Sequence, residues 1–464
     1  MPTTLTLKPQ GACRLGPPRA ARQTALRPRT IAAATAMALV CASWGMACAN
    51  EPARPAAAAP SEPKSPSELD ALDLADKAAE PAKPAPTAQG APWRAFVEAG
   101  AGRSSLRSGA PDVNTRRLSA DLRYDQRWAP ALRAVLSNRL DLADSDATPP
   151  ARNVNTLREA YLSWTPAPAT VLDLGRVNVP LGSAMGYNPT DFFKSGALRS
   201  VVSADPAVLR ENRQGTVVLR AQHLWDGGSL SGLATPKLAS RPDPGRYALD
   251  AGSTNPRDRW LLAGSHRVSD RFSPQWLLQG GEGQSTQLGL NLSALAGEAT
   301  TVYAEAATGR GPTLLDQAFS TRGDGRRRQR AALGLTHTTA FKLVLTLEAQ
   351  ANSAAPTQAQ WRALSGEQRL AVLTVADREQ DLVSRRAWFA HAQWKDVVVS
   401  RLDLAGYWRN DAETGGNEHW LELRYRGTQW EVALQWQRFG GNDASWLAAA
   451  PLRTLTELVA RVYF

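Results

Sequence analysis

Apolar and polar residues alternate along the stretch Leu118-Ser-Ala-Asp-Leu-Arg-Tyr-Asp-Gln-Arg-Trp128. The even-numbered positions from Leu118 to Tyr124 are apolar, and the odd-numbered positions from Asp121 to Arg127 are charged. Successive side chains of a β-strand point to opposite faces, so this strand has one apolar face and one charged face. Such a strand suits a wall that separates lipid from water, which is the arrangement in a transmembrane β-barrel.

The same alternation recurs to the end of the chain, in stretches of about ten residues that are separated by turn residues. An even strand number is expected of a bacterial barrel, and the count is eighteen. The alternative is 16 strands, because residues 229–236 are short and Gly-rich. The sequence therefore predicts an all-β protein, a transmembrane antiparallel up-and-down β-barrel with strands at 93–106, 115–128, 131–143, 154–165, 170–181, 215–224, 229–236, 259–268, 275–284, 286–296, 300–310, 329–340, 341–353, 382–395, 397–410, 416–428, 429–441 and 453–464.

The predicted connections alternate in length, as a barrel with short periplasmic turns and longer outer loops requires. With both barrel ends in the periplasm, every second connection is short. The long segments fall in the other set, at 182–214, 237–258, 311–328 and 354–381. This order supports the strand count independently of any one strand boundary.

Tryptophan is frequent, with 15 in the chain, and barrels carry aromatic girdles at both lipid–water interfaces. A soluble β-sandwich, the main alternative fold, would place tryptophans in mid-strand. The predicted topology instead puts seven at periplasmic strand ends and three at outer ends. The periplasmic group is Trp93, Trp128, Trp164, Trp225, Trp276, Trp394 and Trp430, and the outer group is Trp260, Trp408 and Trp420.

The chain ends in an aromatic strand, with Leu458, Ala460, Val462 and Phe464 at alternate positions. This pattern resembles the C-terminal signature by which Gram-negative outer-membrane barrels reach their assembly machinery. Over residues 93–464 the chain resembles outer-membrane porins. A narrower resemblance to large porin-type and polysaccharide-export barrels lies in Leu174-Gly-Arg-Val-Asn-Val-Pro-Leu-Gly-Ser-Ala-Met-Gly-Tyr-Asn-Pro-Thr-Asp-Phe-Phe193.

The N-terminal region is typical of a secretory signal peptide. Six bases precede the apolar run 31–44, which ends at Ala47-Cys48-Ala49, and no acid occurs before Glu51. The run is shorter than the roughly 20 residues of a membrane-spanning helix. We therefore predict a signal peptide over 1–49, which holds all three cysteines. Its removal lowers the net charge from +11 to +5, which argues against a nucleic-acid partner.

Residues 50–92 are rich in Ala and Pro and predict an extended periplasmic linker. Residues 67–77 within it have helical spacing, and are interpreted either as a docking helix for a periplasmic partner or as a fraying helix in a linker. The remaining residues, 93–464, form the predicted barrel and carry 44 bases and 36 acids, a net charge of +8.

An eighteen-stranded barrel is wide enough for a water-filled channel unless loops fill it. The 33-residue loop 182–214 is expected either to fold inward or to cover the outer mouth. Charged side chains at a constriction set ion preference. The candidate pore-lining and constriction residues are Asp191, Lys194, Arg199, Arg210, Glu211 and Arg213 in this loop, and Arg123, Arg127, Arg139, Arg401, Arg424 and Arg426 on the strands. Interleaved charges of both signs on the strands predict cross-strand pairing.

The resulting functional hypothesis is an outer-membrane porin-like channel for small hydrophilic solutes, of anionic or sugar-like character. One alternative is a polysaccharide exporter that works with a periplasmic partner bound to 50–92. The other is a barrel hydrolase using His337 or His391, although no supporting acid or nucleophile motif accompanies them. The sequence predicts no catalytic residue, cofactor or metal site. Predicted partners are outer-membrane lipids and lipopolysaccharide and the assembly machinery through Phe464, and a homotrimer is left open.

Overall fold

Eighteen strands close into one antiparallel barrel in the computed structural model, which describes residues 91–147, 150–442 and 445–464. The predicted signal peptide, the helix at 67–77 and nearly all of the linker lie outside these residues. The strands are β1 Trp93–Leu106, β2 Val113–Ala129, β3 Leu132–Ser145, β4 Val154–Ala167, β5 Thr170–Val177, β6 Thr216–Trp225, β7 Gly228–Thr235, β8 Arg259–His266, β9 Gln275–Gly281, β10 Gln284–Leu295, β11 Thr300–Arg310, β12 Arg327–Thr338, β13 Leu343–Asn352, β14 Arg386–Trp394, β15 Leu402–Asp411, β16 Asn417–Arg426, β17 Trp430–Gly440 and β18 Leu452–Tyr463.

Each strand pairs with the next along the chain, and the last strand pairs with the first. In the closing pair Ala99 lies opposite Ala460, and the Phe464 N–H donates to the Ala95 carbonyl over 2.9 Å. Closure leaves none of the described strands with an unpaired edge, which lipid would not tolerate. The prediction of eighteen strands is confirmed, and the short strand β7 pairs with both β6 and β8.

The connections follow the predicted order of short and long. We call the side with the short turns the periplasmic side and the other the outer side, following the orientation expected from the sequence. The periplasmic turns have at most eight residues, at 267–274, whereas the outer connections include 178–215, 236–258, 311–326 and 353–385. Short helices lie in the outer connections: α1 Pro206–Glu211, α2 Ala251–Thr254, α3 Leu314–Ala318, α4 Gln358–Ala363, α5 Gly366–Glu379 and α6 Trp446–Ala449. Helices α3, α4 and α5 share a hydrophobic cluster around Leu314, Trp361 and Val372. Among the residues that the structure describes, no helix is long and apolar enough to cross a membrane.

The two faces of the wall differ as the alternation predicts. Along β16 the apolar Leu421, Leu423 and Tyr425 are exposed on the outside, while Glu422 and Arg424 between them are buried inside. The exposed apolar face suits lipid.

Tryptophans ring the periplasmic rim on the outer face of the barrel. Six are 44–59% exposed, namely Trp93, Trp128, Trp164, Trp225, Trp276 and Trp430. Trp260 and Trp408 lie near outer strand ends, as predicted, but the placement of Trp420 in the outer girdle is wrong. Trp420 is 1% exposed and stacks on Tyr407 inside the barrel. It shares the inward face of β16 with Glu422 and Arg424.

Candidate pore constriction

The connection between β5 and β6, residues 178–215, folds into the barrel; we call it the inner loop. Its side chains are buried at intervals along the whole length, including Ala184, Val202 and Val208. Leu181 and Phe193 pack on the inward-facing Leu233, Leu261 and Leu277 of strands β7 to β9 in one apolar cluster. Of the two expectations for this segment, folding inward is the one that the structure shows.

Two strand carboxylates hold the inner loop by its backbone. Glu305 on β11 accepts from the Ala184 N–H at 2.5 Å and from the Thr190 hydroxyl at 3.0 Å. Glu348 on β13 accepts from the backbone N–H groups of Met185 and Gly186 and, at 2.7 Å, from the Tyr303 hydroxyl. Carboxylates bond backbone N–H groups strongly, so these contacts fix the loop against the wall.

Gly182 allows the loop to approach Glu305. Its φ is +83°, a backbone conformation that favours glycine, and a Cβ built there would lie 2.4 Å from the Glu305 carboxylate oxygens. A side chain at 182 would therefore strain the backbone and displace the Glu305 carboxylate.

The outer connection 353–385 also holds the inner loop. Arg213 pairs with Asp191 and donates to the Gln380 side chain at 2.8 Å, and Gln380 in turn donates to the Lys194 carbonyl at 2.5 Å. The Tyr187 hydroxyl donates to Asp381, which also pairs with Arg330 of β12 at 3.0 Å. These contacts tie the inner loop to the outer mouth of the barrel.

The electrostatics of this region follow from its burial. Burial lowers the pKa of the Lys194 ammonium to about 8. Burial opposes ionisation of Asp381, but Arg330 and Lys194 nevertheless hold the pKa of that carboxyl below its ordinary value. Burial raises the pKa of Asp205, the residue that caps α1, to about 6.

The raised pKa of Asp205 predicts a pH-dependent cost to stability. An unfolded aspartate has a pKa of about 3.9, so ionisation penalises the folded chain as the pH rises from about 4 to 6. Asp205→Asn keeps the side-chain oxygen that accepts from the Ala207 N–H at 2.9 Å. We expect this variant to be more stable than the parent at pH 7.5, by about 2 kcal/mol, and equal to it at pH 4. Urea unfolding in detergent at both pH values measures the difference.

The control for this prediction is Asp270→Asn, because Asp270 is exposed in a periplasmic turn. It should keep the pH profile of the parent. If the stability of Asp205→Asn depended on pH as that of the parent does, burial of the ionised Asp205 carboxylate would not destabilise the fold, and the prediction would be contradicted.

Opposite the apolar cluster, charged side chains of β16–β18 and β1–β4 form a continuous buried network, which we call the charged wall. Glu98 lies at its centre, paired with Arg117 and, at 2.8 Å each, with Arg139 and Arg461. Arg158 pairs with Asp121 at 2.5 Å and donates to Asn212 of the inner loop at 2.9 Å. The network comprises Glu98, Asp121, Asp141, Glu422, Glu431 and Glu457 with Arg117, Arg139, Arg158, Arg424 and Arg461.

The charged wall confirms that interleaved charges pair across strands. Its six carboxylates face five guanidinium groups, so the wall is close to neutral. A preference for anions therefore does not arise from this wall.

The six predicted loop residues all lie in the inner loop. Asp191, Lys194 and Arg213 are buried, and Arg199, Arg210 and Glu211 are half-buried. Arg210 donates to the carbonyls of Leu181 at 3.1 Å and Gly182 at 2.7 Å, and Arg199 pairs with Asp250 of the next outer connection at 2.8 Å. These arginines also brace the loop.

The six predicted strand residues have different environments. Arg139 and Arg424 belong to the charged wall, and Arg426 is buried beside Asp403 at 2.8 Å. Arg123 is half-buried and Arg127 is exposed at the periplasmic end of β2. The placement of Arg401 on a strand is wrong: it is exposed in the turn before β15, with a φ of +71°.

Sequence reasoning missed the residues that hold the inner loop. Glu305 lies at an inward-facing position of β11 and Glu348 at an inward-facing position of β13, so the alternation of the sequence places both side chains in the lumen. The sequence signal for Glu305 is that it is a single carboxylate on the inward face of β11, between Tyr303 and Ala307. Glu98 follows from the same rule on β1.

The geometry gives no support to the hydrolase alternative. His337 Nδ1 lies 2.8 Å from the Thr300 hydroxyl, and both ring nitrogens of His391 are buried without a hydrogen-bond partner among the described residues. In the part of the chain that the structure describes, no group of three His, Cys, Asp or Glu side chains could hold a metal ion.

The chain matches no protein-family model and no curated protein. Solved structures similar to it are Acinetobacter baumannii OccAB1 (TM-score 0.52, 10% identity, 80% of this chain and 96% of that one), A. baumannii OccAB4 (0.50, 9%, 80% and 97%) and Pseudomonas aeruginosa OpdQ (0.50, 10%, 80% and 98%). At such low identity the similarity concerns architecture alone. The chain thus shares the fold of these three proteins over 80% of its length.

Proposed function

We propose that the protein is an outer-membrane porin-like channel through which small hydrophilic solutes diffuse. The observation that carries the proposal is a loop buried across the lumen of a closed 18-stranded barrel. The barrel is apolar outside and ionised inside, which suits lipid on one face and water on the other. Barrels of this size are wide enough for an aqueous path, and an inward loop narrows that path.

We further propose that the solutes are anionic or sugar-like. Because the charged wall is close to neutral, the preference rests on the inner loop and the outer connections. The inner loop carries four bases, Lys194, Arg199, Arg210 and Arg213, against three acids, and residues 93–464 carry a net charge of +8. A polar path with a slight positive excess accepts uncharged polyols and favours small anions over cations of equal size.

The proposed setting is the outer membrane of a Gram-negative cell, reached through the signal peptide over 1–49. Support for assembly through the C-terminus comes from Phe464, which is 65% exposed on the lipid side and bonded to β1. A periplasmic partner for residues 50–92 and a homotrimer remain proposals. We assign the chain no enzymatic step.

A liposome-swelling assay on the refolded mature chain tests the proposed function. We expect swelling rates to fall with solute size across a series of sugars, and small organic anions to enter faster than cations of the same size. Liposomes with heat-denatured protein are the control. Swelling that does not depend on solute size would contradict a constricted channel, and faster entry of cations would contradict the proposed preference.

A further inference from the structure

Two arginines lie directly opposite each other on the lipid-facing surface of strands β11 and β12. Arg310 and Arg327 are cross-strand partners at the outer ends of these strands, and both are exposed. They lie on the same faces as the lipid-facing Val302 on β11 and Leu333 on β12, because they are separated from them by even numbers of residues.

The pair has no counter-charge of its own. Neither guanidinium makes a hydrogen bond or ion pair in the described part of the chain. The one acid of the adjoining segment 321–328, Asp324, is engaged by Arg328 at 2.5 Å and by Arg326 at 3.6 Å. Like charges directly opposite each other destabilise a sheet, so an anion from outside the chain would relieve this site.

Neighbouring exposed bases extend the cluster. Arg322 and Arg326 lie in the same outer connection, and the Arg326 side chain is 80% exposed. The outward faces of other strands also end in exposed arginines on the outer side, at Arg116, Arg386 and Arg438. Of the nine exposed tryptophans among the described residues, six lie at the periplasmic rim of the same surface, and three, Trp260, Trp388 and Trp408, lie near outer strand ends.

This asymmetry matches a membrane whose two leaflets differ in charge. Tryptophan suits the interface of a phospholipid leaflet, whereas guanidinium groups bind phosphate through paired hydrogen bonds. Clusters of bases at a membrane surface attract anionic headgroups. The cluster lies where the headgroups of the outer leaflet would lie.

We propose that Arg310 and Arg327, with Arg322 and Arg326, bind the phosphate groups of an outer-leaflet glycolipid. The proposal rests on the outer-membrane placement in the proposed function, and not on solute passage. The proposed ligand is a lipid whose sugar headgroup carries phosphate groups and acyl chains, as lipid A does.

Lipid binding by the refolded mature chain in non-ionic detergent tests this proposal, with bisphosphorylated lipid A and its dephosphorylated form as probes. We expect the Arg310→Gln/Arg327→Gln variant to bind bisphosphorylated lipid A about 25-fold more weakly than the parent, from about a fivefold effect per arginine. The dephosphorylated form should bind the parent at least as weakly as the phosphorylated form binds the variant, because Arg322 and Arg326 remain in the variant. Excess inorganic phosphate at constant ionic strength should not displace the lipid.

The matched control is Arg267→Gln/Arg271→Gln, which removes two exposed arginines from a periplasmic turn. It should bind lipid A like the parent. In lipid-free detergent the Arg310→Gln/Arg327→Gln variant should unfold at the same or a higher urea concentration than the parent, because a repulsion is removed. That readout separates lost binding from lost folding.

Unchanged binding by the Arg310→Gln/Arg327→Gln variant would overturn the proposal. So would equal binding of the dephosphorylated lipid, or displacement of the lipid by inorganic phosphate. Conductance in phosphatidylcholine bilayers is measured in parallel and should be the same for variant and parent. A parent protein that binds lipid A but does not conduct would contradict the proposed function and would still support the lipid site.

Discussion

Removal of the Glu98 carboxylate should unfold the barrel at a markedly lower urea concentration. Glu98 is fully buried and contacts three guanidinium groups, those of Arg117, Arg139 and Arg461. Glu98→Ala leaves these charges buried without their shared anion. Breaking a buried ion pair by removing one partner costs about 3–5 kcal/mol. The measurement is urea unfolding in detergent, followed by tryptophan fluorescence.

Asp226→Ala is the control for Glu98→Ala. Asp226 pairs with Arg267 at 3.0 Å, but its side chain is 87% exposed, so its removal should change the midpoint little. Glu98→Gln, which keeps an acceptor but loses the charge, should fall between the two. Equal midpoints for Glu98→Ala and Asp226→Ala would contradict the central place of Glu98 in the charged wall.

Release of the inner loop should enlarge the channel. Glu305→Ala with Glu348→Ala removes the acceptors of three backbone N–H groups, those of Ala184, Met185 and Gly186. The loop would then lose its hold on β11 and β13, and the lumen of an 18-stranded barrel would open. We expect the single-channel conductance to rise by roughly threefold or more, because the loop occupies much of a lumen of this size.

The control for loop release is Asp226→Ala with Glu282→Ala, which removes two exposed carboxylates outside the lumen. This variant should conduct like the parent. A Glu305→Ala/Glu348→Ala channel with parental conductance would show that these contacts do not set the width. Urea unfolding of both variants establishes that the barrel itself persists.

Most of the barrel could be predicted from sequence because lipid and water impose opposite demands on alternate residues. Strands β1 and β11 begin and end where the alternation predicts. The prediction fails where an apolar run lies outside the wall. The sequence predicts a strand that includes residues 397–399, but Val398 is 82% exposed in a turn. The Val397 N–H donates to the Leu402 carbonyl at 2.8 Å across this turn.

The start of β14 illustrates a different failure. The sequence places it at 382, whereas the strand begins at Arg386. Val383 is apolar because it packs with Trp361 and Val372 in the outer helical cluster, and not because it faces lipid. Alternation alone does not distinguish burial in protein from burial in lipid.

The candidate constriction was predictable only in part. Length and charge singled out the inner loop, but nothing local shows that its backbone meets Glu305 and Glu348, which lie more than 100 residues further along the chain. For Trp420, the residue type predicts the wrong location, whereas the two-residue alternation of the strand predicts the right one. Its parity with Glu422 places it inside, although tryptophan is typical of the girdle.

Single-channel recording in planar bilayers tests the central claim most directly, that the inner loop constricts a water-filled barrel. The refolded mature chain should give discrete conductance steps. A variant in which a short Gly/Ser linker replaces residues 183–212 should give steps that are several times larger, because the obstruction is gone. An absence of conductance steps from the parent, or steps of equal size from both proteins, would contradict the claim that the inner loop constricts the channel.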